Sequence, residues 1–211
     1  MAQGDLFSQL AWLEADQNPF GLRVLDCRPF STTMISATKD AAIAARFNQL
    51  RSSRGEEHRG QHPEDAILAH CDLSYPFNGE SRDGPLFTAG QMEDKWDIHL
   101  YDSQLYFARS WTGEMVLRAA IEFKEKAAVI TRVEANRAKV MDDPAHAVRI
   151  VDFLMKTHLY RREAPHPLPP CLPDDKKLLA LYSFSEYGRR ALYGSFEDTA
   201  AVAWLGQHPP E

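Results

Sequence analysis

Apolar and polar residues alternate along Trp96-Asp97-Ile98-His99-Leu100, which puts Trp96, Ile98 and Leu100 on one face of a strand. Leu105, Phe107, Arg109 and Trp111 alternate likewise. With Asp102-Ser103 as a tight turn, Leu100 pairs with Leu105, Ile98 with Phe107 and Trp96 with Arg109. The two apolar faces then coincide. Met115, Leu117, Ala119, Ile121 and Phe123 form a third apolar set. A Thr112-Gly113 turn would place that set on the wrong side of the sheet. A longer loop, Thr112-Gly113-Glu114, pairs Trp111 with Met115 and unites all three sets, with Gly113 supplying a positive φ. Lys124-Glu125-Lys126 then leads into a fourth strand from Ala127 to about Val133. The fold class expected is α+β: an antiparallel β-meander over about residues 95–135, with additional strands and flanking helices.

Helical spacing of Leu6, Leu10 and Leu13 predicts a short helix from Asp5 to Ala15. A strand follows over Leu22–Cys27, stopped at Pro29. Lys39 to Leu50 predicts a second helix with Ile43, Phe47 and Leu50 on one stripe. Residues 51–65 lack periodicity and predict a mobile polar loop. Ala66 to Leu73 predicts a strand, and Asn78 to Gly90 is rich in turn residues. Asp143-Pro144 opens a helix that runs to about Leu159, burying Val148, Val151, Met155 and Leu159. Five prolines within 164–173 predict an extended connector. A last helix begins near Asp174-Asp175 and carries Leu178, Leu181, Tyr182 and Tyr187. A further helical stretch is expected around Ala200–Leu205.

At 211 residues the chain is expected to form a single domain over 1–211. The net charge of −6 argues against a nucleic-acid backbone as the main partner. No apolar run approaches the roughly 18 residues of a spanning helix, and the N-terminal residues lack secretory features. The three cysteines, Cys27, Cys71 and Cys171, form no disulfide framework or zinc pattern. A cytoplasmic protein with no membrane partner and no cofactor is expected.

The densest chemical feature is Met92-Glu93-Asp94-Lys95-Trp96 with Leu105-Tyr106-Phe107-Ala108-Arg109-Ser110-Trp111-Thr112-Gly113. Arg109 lies across from Trp96, and a guanidinium over an indole is favourable by about 0.5–2 kcal/mol. Lys95, Trp96, Arg109, Ser110, Trp111 and Thr112 are the candidate ligand-binding residues, an anion site with tryptophan walls. The competing reading makes Arg109 a structural residue between two core tryptophans. His58-x-x-x-His62 has metal spacing, yet no third ligand lies near it in sequence. Ser36-x-x-Lys39 lacks the companion motifs of serine acyl-enzymes. Cys27 ends an apolar strand and reads as a small core residue. Ser31-Thr32-Thr33 is a hydroxyl-rich loop that could bind an anion, although turn chemistry explains it equally.

The strings around residues 91–123 resemble a motif, M-E-D/E-K-W…L-Y-F-H-R-S-W-T-G, of an uncharacterised group of bacterial proteins. In that group the motif sometimes accompanies ADP-ribosylglycohydrolase-family proteins. The resemblance implies a link to nucleotide or ADP-ribose biology. Ala108 stands here where the group has histidine, so no catalytic histidine is available at that position. Three readings follow. A non-catalytic module binding a protein partner or a small anionic or nucleotide ligand is preferred, because no nucleophile, base or metal set stands out. A small enzyme acting on a nucleotide or ADP-ribose-like substrate would join Arg109 and Lys95 to a carboxylate such as Asp94 or Asp26. An immunity-type protein would block a toxin through an acidic surface.

Overall fold

The computed structural model describes residues 6–202. Strands and helices run in the order β1 (Ala11–Leu13), β2 (Val24–Asp26), α1 (Arg28–Ser31), α2 (Ala41–Leu50), β3 (Ala66–Pro76), β4 (Gly84–Phe87), β5 (Trp96–Tyr101), β6 (Gln104–Arg109), β7 (Met115–Phe123), β8 (Ala127–Asn136), α3 (Pro144–Leu154), β9 (His166–Pro167), α4 (Lys176–Tyr187) and β10 (Tyr193–Ser195). The described residues divide into two compact units, one of residues 6–36 with 153–202 and one of residues 37–152. The fold is α+β with a principal antiparallel sheet. Among the described residues, no helix is long and apolar enough to cross a membrane.

The second unit is built on a six-stranded sheet in the order β3-β8-β7-β6-β5-β4. The expected hairpin register holds: Trp96 pairs with Arg109, Ile98 with Phe107 and Leu100 with Leu105. Asp102 and Ser103 both take positive φ, 51° and 57°, as a tight hairpin of this twist requires. Across the sheet, Ile98, Phe107, Leu117 and Ala135 form one buried apolar row. Tyr75, at the far end of β3, donates to Asp152 of α3 at 3.0 Å and ties helix to sheet. Asp143 caps α3, its carboxylate accepting from the backbone N–H groups of Ala145 and His146.

The β6–β7 connection differs from expectation. Trp111 does not pair with Met115; Ala108 does, after a bulge, and Ser110–Glu114 form the loop. Ser110 is drawn the other way: its N–H donates to the Lys95 carbonyl and its hydroxyl to the Asp94 carbonyl. Gly113 has the expected positive φ, 73°. The Asn78–Gly90 stretch also contains β4, an edge strand where Pro85 needs no ladder donor.

The first unit carries a four-stranded sheet, β1-β2-β10-β9, in which β9 and β10 are parallel. The expected N-terminal helix is replaced by a single 3-10 turn, Leu6–Gln9, followed by β1. Pairing of Ala11–Leu13 with β2 overrides the local helical spacing, while Leu10 enters a core with Leu25, Phe30 and Leu179. The proline-rich segment is extended, as β9 shows. In α4 the buried set is Leu179, Ala180, Ser183 and Tyr187, whereas Leu178 and Leu181 are exposed. The C-terminal helix was expected at Ala200–Leu205; a 3-10 turn covers Thr199–Ala201, and the remainder lies outside the described residues.

Ser103 has a Cβ in a left-handed conformation that glycine adopts at no steric cost. Ser103→Gly is therefore expected to raise stability by about 0.5–1 kcal/mol in urea melts, and Ser103→Val to lower it. Equal melts for all three proteins would contradict the strained-turn assignment.

Candidate functional site

All six sequence-predicted residues meet at one corner of the six-stranded sheet. The Lys95 ammonium donates to the Met92 carbonyl at 2.9 Å and stands 4.3 Å from the centre of the Trp111 ring. The Trp111 indole N–H donates to the same carbonyl at 2.9 Å. The Arg109 guanidinium lies 4.8 Å from the Trp96 ring centre, and Trp96 is buried. Ser110 fastens Asp94, as above, and the Thr112 hydroxyl accepts from the Glu114 N–H. Of the two carboxylates proposed to complete an active site, Asp94 accepts from the Gly90 N–H. Asp26 belongs to the other unit, where it pairs with Arg28 at 2.7 Å. The corner is fastened largely to itself.

Open space lies beside it. Arg46, Gln49 and Leu50 of α2, with Ser53 and Glu57, line a cleft of about 320 Å³. Arg46 reaches the Thr112 carbonyl at 3.4 Å, and its guanidinium also donates to the Gln49 side chain at 3.1 Å. A Cβ on Gly113 would come within 2.9 Å of the Arg46 guanidinium and 3.0 Å of Leu50, and its positive φ of 73° favours glycine there. In the same lining, Ser53 donates to both carboxylate oxygens of Glu57. Burial would raise the Glu57 pKa, but its own backbone N–H, Ser53 and the nearby histidines outweigh it and lower the value. The cleft thus holds a cation, Arg46, and an anion, Glu57, in one lining.

Behind that cleft, the second face of β5 carries Asp97, His99 and Tyr101, all buried. Residues 54–60 lie over His99 and Tyr101, and Asp97 is held by the Ala89 N–H. Gly55, at φ 73°, lies so close that a Cβ would stand 2.3 Å from the His99 ring. Tyr101 donates to the Arg54 carbonyl, the Gly60 N–H donates to the Tyr106 hydroxyl, and Arg59 grips Asp102 with two hydrogen bonds. His58 is buried with its ring centre 5.6 Å from that of His99. Burial, with His58 close by, pushes the His99 pKa down to about 4. Burial pushes Asp97 up to about 6, against the hydrogen bond its carboxylate accepts from the Ala89 N–H.

The other sequence candidates separate. His62 turns away from His58 to Glu134 and Arg118, and among the described residues no group of three or more His, Cys, Asp or Glu could hold a metal ion. Cys27 is fully buried, and burial pushes its thiol up to about 12. Thr32 and Thr33 donate to the carbonyls of Arg28 and Pro29, one helical turn back. Arg46, Gln49, Ser53 and Glu57 escaped the sequence reading. Their signal was the polar face of α2 next to a charged loop, which by itself marks ordinary solvated surface. Comparison with family models, with curated proteins and with solved structures finds no match.

The buried pair makes stability depend on pH in opposing ways. Between pH 6.5 and about 4 the unfolded chain takes up the proton that buried His99 refuses, so His99 destabilises the fold as pH falls. Between about 6 and 3.8 the folded state binds the extra proton on Asp97, which opposes that loss. Asp97→Asn removes the opposition. Urea melts are expected to show its stability falling more steeply than wild type from pH 6 to 4, by about 1.4 kcal/mol per pH unit. Parallel curves for the two proteins would refute this.

Proposed function

We propose that this chain is a non-catalytic binding module whose second unit receives a small anionic ligand of the nucleotide or ADP-ribose kind. The cleft beside the Thr112–Gly113 loop is the receiving surface. One observation carries the reading: a fixed cation, Arg46, opens onto space beside the corner, while the groups with acid–base character lie buried behind it. Proton transfer needs the reacting group within hydrogen-bond reach of substrate. His99, at 4% exposure under Gly55, and Asp97, at 4% exposure, do not offer that reach.

Lys95, Trp96, Arg109, Ser110, Trp111 and Thr112 serve in this reading as the scaffold that holds the loop. Arg46 and Glu57 do the recognising, Arg46 toward a phosphate or carboxylate and Glu57 toward ribose hydroxyls. The nucleotide or ADP-ribose assignment rests on the resemblance of the 91–123 strings.

Thermal melts with ADP-ribose, NAD and nucleotides test the reading, because a ligand that binds only the folded state raises the melting temperature. At least one is expected to stabilise the protein, and Arg46→Gln, at an exposed position, to remove the shift while melting like wild type. No shift with any ligand, or a shift unchanged in Arg46→Gln, would refute the cleft. Release of product from ADP-ribose or NAD would refute the non-catalytic reading. Arg109→Ala is expected to lower the melting temperature without a ligand, by the loss of about 0.5–2 kcal/mol of its contact with Trp96.

A further inference from the structure

The first unit contains a concentration of positive charge unlike the rest of an acidic chain. Beyond α3 the helix continues as one π turn, Met155–Leu159. The chain then reverses: Arg161 takes a left-handed φ of 54°, and the Arg162 N–H donates back to the Lys156 carbonyl at 2.9 Å. Across from it, α4 ends at Gly188, and a 3-10 turn carries Arg189 and Arg190. The two Arg-Arg pairs line a common cavity of about 330 Å³. Arg190 is positioned by a 2.6 Å hydrogen bond to the Thr157 carbonyl, inside the π turn. Ala164 and Leu192 give the cavity apolar wall.

The lining holds four guanidiniums and one carboxylate, Glu163. Glu163 also acts on Arg28, whose pKa is raised chiefly by its hydrogen bonds to Asp26, so its charge is shared beyond the cavity. The lining therefore carries a net positive charge of three, in a chain whose net charge is −6. Arginine does not relieve such crowding by losing its proton. The guanidinium charge persists at every ordinary pH, as a phosphate site requires.

We propose that this cavity binds the phosphate group of a small phosphorylated molecule. Guanidinium forks match phosphate oxygens bidentately, and several of them suit a dianion better than a single carboxylate. The volume stands at the lower end of the roughly 300–1,000 Å³ usual for ligand pockets, which suits a phosphate or pyrophosphate with a small substituent. A nucleic-acid backbone is a poorer fit, since it calls for a basic stripe on a basic domain rather than a basic hollow in an acidic chain. The site lies wholly within the first unit and is independent of the cleft around Arg46.

Calorimetric titration of the full chain with inorganic pyrophosphate tests the proposal. Saturable binding is expected, with Kd below about 1 mM, weakening as salt is added. Arg161 and Arg189 are exposed, so Arg161→Gln with Arg189→Gln is expected to fold as wild type by circular dichroism. That double variant is expected to bind at least about tenfold more weakly, whereas Arg82→Gln, at an exposed position outside both sites, binds unchanged. Absence of saturable heat would overturn the proposal. So would undiminished binding by the folded double variant, or loss of binding in Arg82→Gln alone.

Discussion

β5 is buried on both faces, and that constraint organises the second unit. Trp96, Ile98 and Leu100 join the apolar row of the sheet, as an amphipathic strand should. Asp97, His99 and Tyr101 face the other way and are buried as well, so their polar atoms need partners that water would otherwise supply. The Arg54 carbonyl takes the Tyr101 hydroxyl, the Ala89 N–H donates to Asp97, Gly60 holds Tyr106, and Gly55 closes on the His99 ring. A larger residue at 55 would hold the cover off the sheet, which makes that glycine a steric requirement.

The cover also decides what kind of chemistry the surface can offer. Burial shifts Asp97 and His99 toward their neutral forms, His99 beneath this cover, and keeps both from a ligand in the cleft. What stays outside is a pair of opposite charges, Arg46 and Glu57, on walls braced by α2 and by the Thr112–Gly113 loop. The loop is in turn held by Lys95, Ser110 and Trp111, all of which donate to backbone carbonyls of residues 92–95. The candidate strings thus work one step behind the surface they support.

Much of the sheet was legible because its information is local. The turn at Asp102-Ser103 and the alternation on either side admit a single register that unites the apolar faces, and that register is observed. The β6–β7 loop was misread because Ser110 answers to carbonyls sixteen residues away in the chain, at Asp94, which no alternation pattern encodes. β1 was misread for a similar reason: Leu13 keeps helical spacing with Leu6 and Leu10, yet Ala11–Leu13 pair with β2 instead. Burial of the polar face of β5 was not legible at all, since its cover is polar and glycine-punctuated. The Arg161-Arg162 and Arg189-Arg190 pairs were visible as dipeptides, but only the fold brings them to one cavity.

Central to the second unit is a fixed cover of residues 55–61 over His99. Amide hydrogen exchange reads it directly, through the N–H groups of His58, Gly60 and Gln61, which donate to Gly55, Tyr106 and His58. The account predicts that these amides are protected, and that Tyr106→Phe selectively releases Gly60. Exchange of all three at the rate of an unstructured chain in the wild-type protein would contradict it, and would return His99 to the solvent as a group able to act on a substrate.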